Sequence, residues 1–341
     1  MMDSTTRIDA RLGIQFEELS RLIRSVDTIA LCAHTSPDGD AIGSVLGLSQ
    51  IILSKYPGKK VTCLLADPEP IPAVYGFLPG SDGFVHVSDY PDSPDLFICV
   101  DLPQLSRLAE AEEVYHRAKR HAAIDHHPAR DVLGEIHIER TDAAAVGVLI
   151  ARLAQVWGVM LTPEMAQCLL CAIVTDTGRF QFQNANPEAF KVASVLVDAG
   201  ASPADIALNV YQSFCLEYLK LESIVMGRIS TCAGGRIAYS WATIEDIDSC
   251  GVRLDECDGL IDIVRSVAGS EIAMFVRETR IGKIRGNLRA KGDQDVSVVA
   301  AQLGGGGHRA AAGVSYVGGL DEVIGKALPL LEGILDANDA D

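Results

Sequence analysis

This chain of 341 residues lacks several things. No apolar run is long and uncharged enough to cross a bilayer. The best stretch, DAAAVGVLIARLAQVWGVML (142–161), is interrupted by Arg152 and reads as a buried helix. The opening residues, MMDSTTRIDARLGIQFEELSRLIRS, have no signal-peptide apolar core. There is no tandem repeat and no low-complexity tract. Positive charge is short: 29 Lys and Arg against 46 Asp and Glu leave a formal net charge of -17. A broad basic track for duplex nucleic acid is therefore not expected, nor is a membrane partner. A small anionic substrate can still bind where metals or a local basic cluster invert the field. The nine cysteines are scattered without a disulfide-dense pattern, so they are read as reduced thiols of a cytoplasmic protein. Cys168 and Cys171 form a CxxC inside the apolar run AQCLLCAIV. No second CxxC completes a zinc site, and the pair reads as core.

What is present begins with ordinary globular composition, 48% hydrophobic and 22% charged, enough for two domains with sizeable cores. Helical spacing runs over 14–25, 41–56, 142–157 and 165–178. Short apolar strands run over 26–33, 59–66, 95–101 and 121–128. Alternating strands and helices predict an α/β fold whose N-terminal sheet is mostly parallel, with helices on both faces. Beyond Phe190 the texture becomes helical. From 229 onward the pattern predicts a smaller C-terminal α/β domain, with strands near 234–243, 271–279, 283–291 and 314–317 and helices near 255–267, 295–302 and 320–335. The expected organisation is a first domain over 1–190, a helical connector over 191–228 and a second domain over 229–341.

His34, Asp38, Asp40, Asp101, Asp125 and His126 all follow the carboxyl ends of apolar strands. In open parallel sheets that edge binds ligands. One aspartate there is usually a turn former or helix cap; three strands ending in imidazole and carboxylate ligands point to a site. Asp176 closes the apolar run MAQCLLCAIVTD. Imidazoles and carboxylates without thiolates suit first-row divalent ions such as Mn2+. Two ions ~3.5–4 Å apart would clamp a phosphoryl group and acidify water towards neutral pH. The turn PDGD followed by AIGS lacks the spaced acceptors of a calcium loop. Four consecutive glycines, 304–307, followed by His308 and Arg309 with Arg289 and Lys291 upstream, allow close backbone approach to an anion.

The segments HTSPDGDAIGS (34–44), VDLPQLSR (100–107), IDHHP (124–128) and TDTGRFQF (175–182) together resemble the four motifs of the DHH phosphoesterase family. LRAKGDQDVSVVAAQLGGGGHRAAAG (288–313) is similar to the glycine-rich signature of its DHH-associated C-terminal domain. The likeness is to the stand-alone two-domain, nano-RNase type. It implies an enzyme that cleaves short oligoribonucleotides to mononucleotides and removes the 3′-phosphate of adenosine 3′,5′-bisphosphate. It also implies two Mn2+ ions, with Mg2+ as a substitute. His34, Asp38 and Asp101 would hold one ion; Asp40, Asp101, His126 and Asp176 the other, with Asp101 bridging. Asp125 would orient a histidine, and His127 would contact the phosphate or its transition state. Arg289, Gly305, Gly306, Gly307 and His308 would bind substrate, with the active site in the interdomain cleft. Arg107 would pair with a local acid. Arg179 departs from the usual motif and is a candidate for substrate preference. The resemblance leaves a homodimer open. Related readings are a manganese pyrophosphatase, which should lack the GGGGH loop, and a cyclic or linear dinucleotide phosphodiesterase. A binding module that kept the fold but not catalysis would show a lost ligand, and none of the six is lost.

Overall fold

A computed structural model describes residues 9–307 and 309–339. The chain divides into two compact units between Ser213 and Phe214. The first is built on a six-stranded sheet of order β3-β2-β1-β4-β5-β6. Its strands are β1 (Thr28–Cys32), β2 (Lys60–Leu65), β3 (Phe84–His86), β4 (Leu96–Val100), β5 (Arg120–Asp125) and β6 (Ile136–Glu139). Every pairing is parallel. Its helices are α1 (Ala10–Arg24), α2 (Gly39–Lys55), α3 (Ala111–Arg117), α4 (Val146–Trp157), α5 (Pro163–Asp176), α6 (Pro187–Asp198) and α7 (Pro203–Ile206), which runs into a π-helix over Ala207–Tyr211.

The sheet is apolar on both sides because alternate residues of each strand face opposite layers. Leu96, Ile98 and Val100 of β4 join the core under α1, α2, α4 and α5. Phe97 and Cys99 join the opposite core, with Leu108 and with Ala111 and Val114 of α3. That second face is the thinner, covered by one short helix and the turn Leu105–Leu108. The edge strands β3 and β6 escape the sequence reading because three or four residues carry little periodicity. Cys168 and Cys171 are buried in α5, as expected of core residues.

The second unit holds a sheet of order β11-β12-β10-β9-β8-β7. Its strands are β7 (Ser230–Cys232), β8 (Ile237–Ala242), β9 (Ile272–Glu278), β10 (Lys283–Ala290), β11 (Gly306–Gly307) and β12 (Ala311–Val317). Among the described residues only β8 and β9 pair in parallel. Helices α8 (Leu216–Gly227), α9 (Ile244–Cys250) and α10 (Ile261–Arg265) pack on one face; α11 (Val296–Gln302) and α12 (Leu320–Asp339) pack on the other. The helical stretch 191–228 is shared between the units. Val192, Leu196, Ile206 and Val210 are buried in the first core. Tyr218, Leu221 and Val225 are buried in the second. No described helix is long and apolar enough to cross a membrane.

Candidate metal centre

The carboxyl edge of the first sheet collects acids and histidines from five segments. His34 follows β1, Asp38 and Asp40 begin α2, Asp101 follows β4, Asp125 ends β5 with His126 and His127 beyond it, and Asp176 ends α5. Three groups have ligand atoms within 4.8 Å of one another: His34, Asp38 and Asp101; Asp40, His126 and Asp176; and Asp101, His126 and His127.

Each aspartate has a separate task. Asp38 caps α2, its Oδ1 accepting from the N–H groups of Asp40 at 3.0 Å and Ala41 at 3.1 Å. Asp40 reaches the start of α4, where Ala145 offers no capping side chain. Its Oδ2 accepts from Val146 N at 2.7 Å, and its Oδ1 from Gly147 N at 3.0 Å and Ser44 Oγ at 2.8 Å. The helix terminus thereby gains an anion. Burial, and then the charge of Asp101, nonetheless hold the Asp40 carboxyl well above the ordinary carboxylate range. A cation beside it would relieve both effects.

Asp101 sits in left-handed backbone, φ 55°. That conformation is uncommon outside glycine, and for aspartate it is tolerated at a cost. It turns Oδ2 to His34 Nε2 at 3.4 Å and Oδ1 to His126 Nε2 at 3.7 Å, one oxygen towards each group of ligands. Oδ1 is buried, with His127 Nδ1 also 3.2 Å from it. Burial works against its charge, but hydrogen bonds from His127 and His34 win and hold the carboxyl well below the usual range.

His126 Nδ1 lies 3.1 Å from the Ala143 carbonyl, which can only accept, so that nitrogen carries the hydrogen. The Nε2 lone pair then faces Asp40 Oδ2 at 3.7 Å, Asp101 Oδ1 at 3.7 Å and Asp176 Oδ2 at 3.8 Å. A lone pair among three carboxylate oxygens is repulsive unless positive charge sits between them. The separations suit ligands at about 2.0–2.2 Å from a shared divalent ion. The donor set therefore fits a metal.

The histidine side chain that Asp125 meets is that of His127. Asp125 Oδ1 accepts from His127 Nδ1 at 2.8 Å and from the N–H groups of His126 at 2.7 Å and His127 at 3.0 Å. Burial lowers the proton affinity of His127, but hydrogen bonds to Asp101 and Asp125 outweigh it and push the imidazolium up to about 11.

Three supports were not apparent in the sequence. Asn184 Nδ2 donates to Asp176 Oδ2 at 3.1 Å and to the Ala144 carbonyl at 3.0 Å, fixing the carboxylate. Asp67, beyond β2, accepts from the N–H of Ser36 and pins the loop between His34 and Asp38. Gly39, Gly43 and Gly47 form a stripe on α2 that lets it lie directly on α5. A Cβ at these positions would come 2.4 Å from Thr175 Oγ1, 2.4 Å from the Cys168 carbonyl oxygen and 2.5 Å from Leu169 Cδ2. The i, i+4, i+8 spacing of that stripe was visible in GDAIGSVLG and is the signal that could have found it. Arg107 corrects an expectation. Among the described residues it pairs with no acid; its Nη2 lies 3.0 Å from His34 Nδ1 and 3.4 Å from the Thr35 carbonyl.

In the second unit the glycine run is a packed edge. Gly304 and Gly305 donate to the carbonyls of Ala301 and Ala300, closing α11. Gly306 and Gly307 pair with β12. A Cβ on Gly305 would meet the Gly313 carbonyl, and one on Gly307 would come 2.6 Å from the Ala311 carbonyl. The first two N–H groups thus serve the helix end rather than an anion, contrary to expectation. Arg289 lies on β10, its Nη1 3.0 Å from the Leu288 carbonyl. Lys291 is tied to the Val267 carbonyl and Ser270 Oγ. Arg309 donates to the Asp293 carbonyl, a structural role. His308 lies outside the described residues.

Residues 28–173 match the DHH family, N-terminal domain, and residues 234–336 match the DHHA1 domain. A bifunctional oligoribonuclease and PAP phosphatase NrnA from Thermus thermophilus is 30% identical over 313 residues, covering 91% of this chain and 91% of that protein. The protein of the same name from Bacillus subtilis is 28% identical over 305 residues, covering 87% and 92%. The crystal structure of an exopolyphosphatase-related protein from Bacteroides fragilis is similar with a TM-score of 0.87 at 26% identity, covering 96% of this chain and 98% of that one.

Proposed function

The chain belongs to the DHH family, and from that premise we propose that it is a manganese-dependent phosphoesterase that degrades short oligoribonucleotides to mononucleotides and removes the 3′-phosphate of adenosine 3′,5′-bisphosphate. The observation that carries this reading is Asp101, whose two oxygens face two separate ligand groups. His34, Asp38 and Asp101 would hold one ion; Asp40, Asp101, His126 and Asp176 the other. Bound there, the ions supply Lewis acidity and a water acidified towards neutral pH. Imidazole and carboxylate donors without thiolate favour Mn2+, with Mg2+ as a weaker substitute.

The remaining work belongs to the chain. His127, with Nδ1 engaged by Asp125 and Asp101, would donate through Nε2 to a phosphate oxygen as negative charge develops. Asn184 holds Asp176 in the orientation its ligand role needs. Arg289, Gly306 and Gly307 are the described candidates for substrate contact in the second unit, with His308 beside them. A formal charge of -17 argues for short, small substrates and against duplexes. Nine cysteines, all free thiols, accord with a cytoplasmic location.

The test is a substrate panel with Mn2+ and with Mg2+: RNAs of two to five residues, adenosine 3′,5′-bisphosphate, cyclic and linear diadenylate, and pyrophosphate. Wild-type protein is expected to turn over the short RNAs and the bisphosphate. Asp40→Asn and Asp176→Asn should keep their fold and lose at least a hundredfold in kcat. Wild-type rates in both variants, undiminished activity under chelation, or preference for a diadenylate or pyrophosphate would each overturn the assignment.

A further inference from the structure

Immediately after Asp176 the backbone does something costly. Gly178, Arg179 and Phe180 are all left-handed, with φ of 54°, 64° and 60°. For the two non-glycine residues this conformation is held only when surroundings impose it. The surroundings are on hand. Arg179 N donates to the Val174 carbonyl at 2.7 Å, and Phe180 N donates to Thr177 Oγ1 at 3.1 Å. The Phe180 ring stacks on Phe190 with centroids 4.8 Å apart. The result is to aim Arg179 at Tyr211, with its guanidinium carbon 4.6 Å from the ring centroid. Tyr211 ends the π-helix Ala207–Tyr211, a rare local geometry that recurs at functional sites. Tyr75 stands beside Tyr211, its hydroxyl at the backbone of Gly39 and near Asp38.

Arg179 is an exposed residue whose guanidinium plane is propped on an aromatic ring. A planar cation supported in this way is a platform for a nucleobase, which stacks on guanidinium and aromatic planes alike. We propose that Arg179, held by Tyr211 and three residues beyond the candidate ligand Asp176, is a specificity-determining residue that stacks against a base of the substrate next to the metal centre. The inference rests on the oligoribonuclease reading above. A base–platform stack is worth ~1–3 kcal/mol, which is ~5–150-fold in kcat/KM.

The experiment compares a diribonucleotide with two analogues, each lacking one base, in wild-type, Arg179→Ala, Arg179→Lys and Tyr211→Leu proteins of matched thermal stability. Removing one of the two bases is expected to cost wild type tenfold or more in kcat/KM, mostly through KM, and to cost Arg179→Ala threefold at most. Arg179→Lys keeps the charge but not the plane and should behave like alanine; Tyr211→Leu removes the prop and should lie between. Equal sensitivity to base removal in wild type and Arg179→Ala overturns the platform, as does full rescue by lysine. If wild type fails to cleave the intact diribonucleotide, the oligoribonuclease reading itself falls and takes this inference with it.

Discussion

Replacing Gly43 with alanine isolates the role of helix contact in building the site. On a free helix the change stabilises by ~1 kcal/mol, because glycine loses more backbone entropy on folding. Here the new Cβ would lie 2.4 Å from the Cys168 carbonyl oxygen and 3.2 Å from Ala172 Cβ. The nearer contact is backbone and cannot rotate away. Ordinary contact begins at 3.4 Å, so α2 and α5 must part by about 1 Å. Overpacking of this kind costs ~1–3 kcal/mol, so the expected net effect is a loss of up to ~2 kcal/mol. At ~2–4 °C per kcal/mol for a unit of this size, Tm falls by several degrees. The same separation moves Asp40, at the start of α2, from Asp176, at the end of α5, and should weaken divalent-ion binding tenfold or more. Thermal unfolding of metal-free protein and calorimetric titration with Mn2+ measure the two effects. Gly13→Ala on α1 is the control: nothing lies within 4 Å of its Cβ position, so it should stabilise. If Gly43→Ala raises Tm as Gly13→Ala does and leaves metal affinity intact, the close-contact account is wrong.

Two further outcomes concern stability. Arg152 is 3% exposed inside α4 and pairs through Nε with Glu188 Oε1 at 2.9 Å. Glu188→Ala should cost ~2–4 kcal/mol by stranding a buried charge, read by chemical denaturation, and a change below ~0.5 kcal/mol would show the pair to be dispensable. Asp246 accepts from Arg228 Nη2 at 2.8 Å and from Thr243 N at 2.8 Å, and the guanidinium first of all lowers its carboxyl to about 2. Its folded value lies below its unfolded value, so the contribution is present above pH ~4 and lost as pH falls to ~2. Asp246→Asn should therefore cost ~1 kcal/mol at pH 6, after screening of a partly exposed pair, and progressively less as pH falls through ~2; an equal cost at both would refute the linkage.

The first sheet was legible because its strands are apolar runs bounded by turns, and a parallel sheet buried on both faces needs such runs. The cluster of acids and histidines was legible for a related reason: such groups at strand ends are expensive in a core and have few structural uses there. What escaped are features whose partners lie far along the chain. Asn184 touches Ala144, and Asp67 holds Ser36. The glycine run was legible only in part, because glycine serves close backbone packing and ligand approach equally well, and it took the hydrogen bonds of Gly304 and Gly305 to show that their N–H groups close α11.

From composition, periodicity and the acids and histidines at strand ends came the α/β class, the two cores and a set of candidate ligands, which the family resemblance then divided between two ions. Each of these depends on local chemistry, which a linear chain carries. Folding decided which oxygen of Asp101 faces which group, which histidine Asp125 holds, and how near α5 comes to α2. Those are distances between segments remote in the chain, and they are set by packing, to which no single stretch of sequence has access.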